Sequence, residues 1–497
     1  MTKAEALELV YEKIKVGKVL GMMSSLEHWD AATLGVPEKS VAERGMAAGW
    51  VSGENFKRFI APDTLEAIET LEAFNNELDE YERAMVREIG QAYRKFKAVP
   101  PEEFEKFSAL TSQAQVVWEK ARKERDYEMI QPYYEKVLEF QRRRCDWYGY
   151  DKHPYDALLD DYEKGATVEM LDKFFDPLRE KIIPLLKKIM ENGKKPKEIS
   201  GSFDLNKQRL LMPWLTDIVG YDRTRGKVGE VAHPFCTTIT RNDVRITTKY
   251  HEDSLLSAVY SIIHECGHAI YEQNMREDMG KYSLDECASM GMHESQSRLY
   301  ENMIGRSRAF AERLLPRLKE HFDYFADWDE DMLYRAINIA KPSLIRIEAD
   351  ELTYSLHIMV RYELEKAMIT GDIKVADLPR LWSDKYNEII GLRPNDLADG
   401  VLQDVHWSMG AIGYFPSYAV GTAYGAQMMS TIKKSIDVDA AIRNEDLSPV
   451  TEWLKKNVHE QGALLLPDDL LIKATGEPFN PKYYTDYLSE KFTGLYL

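Results

Sequence analysis

Apolar residues recur at every third or fourth position over residues 63–97, the spacing that places them along one face of an α-helix. They are Leu65, Ile68, Leu71, Phe74, Leu78, Tyr81, Met85, Ile89, Tyr93 and Phe96. Pro62 and Asp63, with Glu66 three positions later, mark a helix start, and the "VPP" stretch at 99–101 marks its end. The pattern predicts one long amphipathic helix that forms a helical hairpin with the helix after it.

The same helical spacing dominates four further segments, at 168–190, 254–274, 288–320 and most of 330–391. We therefore predict a mainly α protein. Only residues 234–250, "PFCTTITRNDVRITTKY", alternate in the manner of strands, on either side of a turn-prone Arg-Asn-Asp. This segment predicts a small antiparallel β-hairpin.

The best linker candidate is "ENGKKPKEISGS" at 191–202, which combines glycines, a proline and lysines but is short. The sequence shows no repeat, heptad series or low-complexity tract. We therefore predict one continuous helical domain over residues 1–497, of one or two lobes, without a separable linker.

The charge balance limits the choice of partners. The chain carries 65 basic and 83 acidic residues, for a net charge of -18. Such an excess repels polyphosphates and anionic lipid surfaces, so we expect neither nucleic acid nor a membrane as partner. A role in solubility explains the acidic excess more simply.

The cysteines and the N-terminal segment indicate the compartment. Cys145, Cys236, Cys266 and Cys287 form no C-x-x-C pair, which argues against a disulfide framework or a thiolate zinc site. Residues 1–23 mix charges throughout and lack the apolar core of a signal peptide, and no membrane-length apolar run occurs. We predict a cytoplasmic protein.

The stretch "SIIHECGHAI" at 261–270 carries the clearest chemistry. Residues four apart on a helix share a face, so His264 and His268 can direct their rings at one metal ion. Glu265 lies beside that face, where it can reach a water on the metal and act as a general base in hydrolysis. The alternative is a pair of surface histidines without a metal.

A catalytic zinc site needs a third protein ligand. Helical spacing over 288–306 offers His293, Glu294 and Glu301. The sixth residue after His268 is Asn274, so the class of zinc protease with a third histidine there is excluded. We choose Glu294 as the third ligand.

Six motifs together resemble the carboxypeptidase Taq family of metallocarboxypeptidases, whose helical fold is akin to that of angiotensin-converting enzyme and neurolysin. They are H-P-F at 233–235, D-x-R-x-T at 243–247, H-E-x-x-H at 264–268, H-E-S-Q at 293–296, I-R-x-x-A-D at 345–350 and G-x-x-Q-D-x-H-W at 400–407. The flanking segments 28–45 and 153–163 also look like family sequence, so the resemblance spans nearly the whole chain.

The resemblance implies a deep substrate cleft in a single helical body, with the H-E-x-x-H helix and the small β-hairpin beside it. It implies His264, His268 and Glu294 as ligands of one divalent metal ion, zinc or else cobalt, and Glu265 as the base. A homodimer is implied by the resemblance alone.

The resemblance also implies that Arg346 binds the free carboxylate of the substrate, which suits a guanidinium that forks onto a carboxylate. An ordinary ion pair with Glu348, Asp350 or a neighbouring helix is the alternative. The stretch that contains Gln403 is implied to line the same end of the cleft.

Two further regions carry candidate site residues. His406 and Tyr418 are candidates for stabilising the oxyanion as water adds to the peptide carbonyl, although the glycine-rich and aromatic 407–421 segment is equally consistent with a packed loop. The hairpin offers an edge to which a peptide can add as a strand, with Asp243 and Arg245 beside it. Those two residues could instead only hold the turn.

We therefore predict a metallocarboxypeptidase that removes single residues from peptides with a free C-terminal carboxylate. One alternative is an oligopeptidase or dipeptidyl carboxypeptidase on the same scaffold. The other is a helical peptide-binding protein whose histidines do no chemistry.

Overall fold

The computed structural model describes all residues from Met1 to Leu497. The helices are α1 (Lys3–Leu34), α2 (Val41–Phe59), α3 (Pro62–Ala73), α4 (Glu80–Ala98), α5 (Pro101–Glu124), α6 (Gln131–Tyr148), α7 (Asp156–Leu159), α8 (Val168–Asn192), α9 (Leu205–Val219), α10 (Leu255–Gln273), α11 (Met290–Arg298), α12 (Arg308–His321), α13 (Glu330–Ala336), α14 (Tyr354–Thr370), α15 (Leu378–Ile389), α16 (Pro416–Ile432), α17 (Val438–Arg443), α18 (Ser448–Asn457), α19 (Pro467–Thr475) and α20 (Lys482–Tyr496). The strands are β1 (Val228–Glu230), β2 (Cys236–Thr240) and β3 (Asp243–Thr248). The protein is mainly α, as predicted.

The single long helix predicted over 63–97 is wrong, because α3 and α4 are separate helices joined by a short turn at Asn75–Glu77. The break has a local cause. The Asp79 side chain accepts a hydrogen bond from the Glu82 amide at 2.7 Å, and the Glu82 carboxylate accepts one from the Asp79 amide at 3.0 Å. This reciprocal capping box starts a new helix at Glu80. The predicted helical hairpin is also different. Helix α3 packs on α4, and α5 packs on α6, in place of one long helix that pairs with the next.

The predicted β-hairpin is present and forms part of a three-stranded sheet of order β1-β3-β2. Strands β2 and β3 pair antiparallel around Arg241 and Asn242, and β1 adds parallel to the other side of β3. Strand β2 is therefore an edge strand. Helix α10 packs against β3, which places the sheet beside the helix that carries the two histidines.

One large hydrophobic core includes buried residues from Ala114 to Tyr496, and a smaller one lies beneath α1, α3 and α4. The segment 191–202 has no regular secondary structure after Asn192 and leads from α8 to α9. None of the helices combines the length and the hydrophobicity that crossing a membrane requires.

Helices α10, α11 and α16 approach each other to backbone contact at glycines. A Cβ atom at Gly267 of α10 would lie 2.6 Å from Ser297 Cα of α11. A Cβ atom at Gly421 of α16 would lie 2.6 Å from the Gly291 carbonyl oxygen and 2.8 Å from Glu294 Cβ. Only glycine allows helices to pack this closely without displacement.

We predict that Gly267→Ala lowers the free energy of unfolding by about 1–3 kcal/mol, because the added methyl group meets backbone atoms that cannot rotate away. Gly49→Ala is the matched control: this glycine lies in α2 with open space around its Cβ position. The control is expected to stabilise the protein by about 0.5–1 kcal/mol. Denaturant titration followed by circular dichroism measures both, and equal effects would contradict the close-packing argument.

Candidate metal centre

Helices α10 and α11 bring the three predicted ligands together. The Nε2 atoms of His264 and His268 lie 3.7 and 3.5 Å from Glu294 Oε2. One ligand atom from each residue lies within 4.8 Å of the other two. Tetrahedral zinc with bonds of about 2.0–2.2 Å needs ligand atoms about 3.3 Å apart, so this donor set fits a divalent metal ion.

A second layer of charged groups fixes the direction of these ligands. Glu301 Oε2 lies 2.9 Å from His264 Nδ1, the ring nitrogen that faces away from Glu294. Arg298 donates to Glu294 Oε1 at 2.7 Å and to Glu301 Oε2 at 3.1 Å. Glu294 Oε2 is thereby turned toward the histidines. Carboxylates behind ligating histidines set the ring tautomer and raise its basicity.

His268 is held by packing rather than by hydrogen bonds. Its ring stacks on the His293 ring at a centroid distance of 4.2 Å and an interplanar angle of 13°. His293 Nε2 in turn lies 3.0 Å from Glu272 Oε1. His268 Nδ1 is buried without a hydrogen-bond partner, so the stacked His293 ring sets the orientation of this ligand.

Burial and neighbouring charges shift the pKa values of these side chains toward the protonation states that bind a cation. Burial opposes ionisation of Glu294, but Arg298 and His264 lower its pKa overall. Burial also opposes ionisation of Glu301, but the same two residues lower its pKa to about 2. Burial lowers the pKa of His268 to about 3, which leaves its ring neutral with a lone pair to donate.

Glu265 lies in the same cavity as the ligands and is 7% exposed. Burial raises the pKa of its carboxyl group to about 7, while the nearby His264 opposes the rise. A carboxyl group with such a pKa can exchange a proton near neutral pH, which is what a general base in hydrolysis requires.

The cavity around these residues has a volume of about 1160 Å³. Its walls come from α10 and α11, from Cys236 of β2 with the preceding Phe235, and from the loop that carries Arg346. Tyr418 also lines the cavity. The structure thus brings Arg346, Tyr418, Glu265 and the three ligands into one space.

Arg346 is 6% exposed and pairs with Asp404 rather than with Glu348 or Asp350. Its Nε and Nη2 atoms donate to Asp404 Oδ1 at 3.1 and 2.9 Å. The fully buried Arg361 donates to the other oxygen of Asp404. The oxygens of Asp404 therefore serve two guanidinium groups at once.

Gln403 lies behind Arg346 and does not line the cavity. Its side-chain oxygen accepts from the Arg346 amide at 3.0 Å and from Arg361 Nη2 at 2.8 Å. Its amide nitrogen donates to carbonyl oxygens of its own loop and to that of Leu344. The side chain therefore joins the loop of Arg346 to the loop of Asp404.

His406, Asp243 and Arg245 also lie outside the cavity lining. The His406 ring packs on Phe415, with centroids 4.4 Å apart, and burial lowers its pKa to about 4. Asp243 and Arg245 pair with each other at 2.8 and 2.6 Å, and the Arg245 guanidinium lies 5.3 Å from the Trp29 ring centre.

Sequence reasoning missed several residues that shape the site. Glu301 was considered only as a ligand, although it lies seven positions after Glu294 and so on the same helical face. The roles of Arg298, Asp404 and Tyr414 were not predicted. Arg298 had a sequence signal, since it lies four residues after Glu294, the spacing of an ion pair on a helix. Asp404 lies in the G-x-x-Q-D-x-H-W motif, but its pairing with Arg346 and Arg361 had no signal, because these partners are distant in sequence.

We predict that Glu301→Gln weakens zinc binding by about 10- to 100-fold, because the amide holds His264 in place less firmly than the carboxylate does. Competition with a chromophoric chelator measures the zinc affinity. The matched control is Glu277→Gln, whose carboxylate is largely exposed and pairs only with Arg241. Equal affinity in both variants would exclude an orienting role for Glu301.

Comparison with known proteins places this geometry in a family. The model of the carboxypeptidase Taq (M32) metallopeptidases matches residues 10–492. The chain is 42% identical to carboxypeptidase 1 of Bacillus subtilis over 477 residues, which cover 95% of each chain. It is 35% identical to thermostable carboxypeptidase 1 of Pyrococcus furiosus over 497 residues, 98% of each chain.

Solved structures agree with the sequence comparison. A Pyrococcus furiosus carboxypeptidase superimposes with a TM-score of 0.94 at 35% identity, over 98% of this chain and 99% of that one. Trypanosoma cruzi metallocarboxypeptidase 1 gives a TM-score of 0.93 at 35% identity, with the same coverage. These likenesses confirm the family resemblance and the mainly α fold, and the chain belongs to the carboxypeptidase Taq family of metallopeptidases.

Proposed function

We propose that this metal-dependent carboxypeptidase releases single amino acids from peptide C-termini, with His264, His268 and Glu294 as the metal ligands and Glu265 as the general base. Family membership supports the activity, in place of a non-catalytic peptide-binding role. The observation that carries the residue assignment is the meeting of the three donor atoms within 4.8 Å, in the cavity that also contains Glu265.

A divalent ion held there would polarise the scissile carbonyl and lower the pKa of a water molecule. Glu265 accepts the proton of the attacking water and returns it to the leaving amine, a role that suits its pKa of about 7. Zinc suits a set of two histidines and a carboxylate, and cobalt is compatible with the same ligands.

Arg346 provides the charge that recognises a free C-terminal carboxylate. Two guanidinium groups, those of Arg346 and Arg361, share the single carboxylate of Asp404. The group of three therefore carries one net positive charge, and only Arg346 among them lines the cavity. An anionic substrate end balances that charge, whereas the interior of a peptide chain does not.

Tyr418 is the donor that we assign to the developing oxyanion, because its side chain lines the cavity. His406 packs behind it, against Phe415 and Tyr414, and supports the aromatic wall from outside. Tyr414 lines the cavity beside Tyr418, with ring centroids 5.2 Å apart, and is a second candidate for the same role.

The rest of the peptide adds along β2, one of the two edge strands, since Cys236 of β2 and the preceding Phe235 line the cavity. In this proposal the Asp243–Arg245 pair and Gln403 act on the substrate indirectly, by holding the hairpin and the Arg346 loop.

A cytoplasmic homodimer completes the proposal. The compartment rests on the four unpaired cysteines, and the dimer on the family resemblance.

We predict that Glu265→Gln lowers kcat by about 10²- to 10⁴-fold while zinc binding stays close to that of the unmodified protein. The amide keeps the shape of the side chain but cannot take a proton from water. Release of a C-terminal amino acid from a blocked dipeptide measures kcat, and chelator competition measures zinc affinity. Unchanged activity in a zinc-loaded variant would refute the assignment of Glu265.

We predict that amidation of the peptide C-terminus abolishes hydrolysis by the unmodified enzyme, because the amide removes the charge that Arg346 binds. Arg346→Lys is expected to raise KM for the free acid more than it changes kcat, since lysine keeps the charge but not the fork. Mass spectrometry of paired acid and amide peptides separates the alternatives. Equal cleavage of both peptides would favour an oligopeptidase. Release of C-terminal dipeptides from the acid peptide would favour a dipeptidyl carboxypeptidase.

A further inference from the structure

The segment 153–163, which the proposed mechanism leaves without a role, ends in a buried carboxylate at Glu163. This side chain is 4% exposed, and both of its oxygens accept hydrogen bonds. The Gly291 amide donates to Oε2 at 2.9 Å, and the Tyr424 hydroxyl donates to Oε1 at 3.1 Å. Glu163 therefore joins α11 to α16.

The contact falls in the first turn of α11, three residues before Glu294. The neighbouring Met290 amide donates to the Tyr162 carbonyl at 3.1 Å, so the start of α11 is fastened to this segment at two adjacent residues. A Cβ atom at Gly291 would collide with the Glu163 carboxylate. The carboxylate thus occupies the space that any other side chain at position 291 would need.

The same turn is also constrained by direct contact with α16. Gly421 of α16 lies against the Gly291 carbonyl and Glu294 Cβ, as close as a glycine permits. The first turn of α11 is therefore held both by Glu163 and by direct contact with α16. Loss of the Glu163 contacts would leave the turn held by α16 alone, and a shift of the turn would move Glu294 with it.

Burial of a carboxylate is costly, and here burial raises the pKa of Glu163 to about 7 against the opposing effect of its hydrogen bonds. The site offsets part of the cost, because the amides and the dipole at a helix N-terminus favour a negative charge. If Glu163 only filled space, a neutral side chain would do so at a lower free-energy cost of burial.

We propose that Glu163 is a positioning residue for the metal centre, which fixes the first turn of α11 so that Glu294 Oε2 stays within reach of His264 and His268. The inference rests on the proposed role of Glu294 as a metal ligand. Its effect on the reaction passes through the metal affinity and geometry, since Glu163 does not line the cavity.

The chain offers a matched control in Glu365. This carboxylate is also wholly buried, and burial raises its pKa to about 7 as well. It accepts from a glycine amide, that of Gly413 at 2.9 Å, from the Trp407 ring nitrogen at 2.7 Å, and from the Tyr155 hydroxyl. None of these partners belongs to α11.

The test compares Glu163→Gln with Glu365→Gln. Both variants place an amide group where several hydrogen-bond donors face a buried carboxylate, so both are expected to lower the unfolding temperature. Only Glu163→Gln is expected to weaken zinc binding, by about 10- to 100-fold in chelator competition. The visible absorption spectrum of the cobalt-loaded protein should also change in Glu163→Gln and remain that of the unmodified protein in Glu365→Gln.

Unchanged zinc affinity and an unchanged cobalt spectrum in a folded Glu163→Gln variant would overturn the proposal. Equal loss of affinity in both variants would do the same, because it would reflect general destabilisation. If Glu163→Gln does not fold, Tyr424→Phe takes its place. That variant removes one donor from Glu163 and is expected to weaken zinc binding less, and unchanged affinity there would also overturn the proposal.

Failure of the underlying metal assignment is distinguishable, because it shows in the unmodified protein. If that protein binds no zinc or cobalt, the proposed function fails and this inference fails with it. If it binds the metal but the Glu163 variants bind equally well, only the inference fails.

Discussion

The contact of α10, α11 and α16 at backbone distance is the constraint on which the centre depends. Two of the proposed ligands, the histidines, come from α10 and the third from α11, so the distance between the two helices sets the distance between these groups. Gly267 allows that distance, and Gly421 allows α16 to lie equally close to α11, since a methyl group at either position would meet backbone atoms of α11. A metal ion tolerates ligand displacements of only a few tenths of an ångström. Close packing here therefore serves chemistry as well as stability.

The second requirement is that the buried carboxylates near the histidines stay ionised. Glu294 and Glu301 carry two negative charges, and Arg298 contacts both. Arg306 approaches Glu301 at 3.4 Å from the other side. Arg298 occupies one oxygen of Glu294, and the other oxygen faces the histidines. The arginines thus keep the carboxylates ionised in a buried place and leave one oxygen directed at the site of the cation.

The local chemistry of the site was predictable, and its supports were not. Helical periodicity alone puts His264 and His268 on one face, and the need for a third ligand leads to the next helix, where Glu294 was chosen. The structure brings the three together. Glu163 was out of reach because its partners, Gly291 and Tyr424, are more than a hundred residues away and no periodic pattern connects them.

A different limit explains the error over residues 63–97. Apolar periodicity predicts which residues share a face, and the apolar spacing continues unbroken in the sequence from α3 into α4, although Phe74 at the junction is exposed. Where the second helix begins is decided by the hydrogen bonds between the side chains and backbone amides of Asp79 and Glu82, for which the pattern of apolar residues carries no signal. The hairpin at 234–250 was predictable because alternation and turn residues are local, whereas its parallel partner β1 was not, since a parallel pair joins strands across intervening chain.

Charge also explains why the two ends of the cavity differ. At the metal end, three carboxylates face two arginines: Glu301, the proposed ligand Glu294 and the proposed base Glu265 outnumber Arg298 and Arg306. At the other end, Asp404 is shared by Arg346 and Arg361 and the balance is positive. Under the proposed function, a peptide that presents its terminal carboxylate to Arg346 and its scissile carbonyl to the metal matches both ends at once. The distance between the two ends would then decide which peptide bond is cut, because the bound carboxylate fixes the position of the chain.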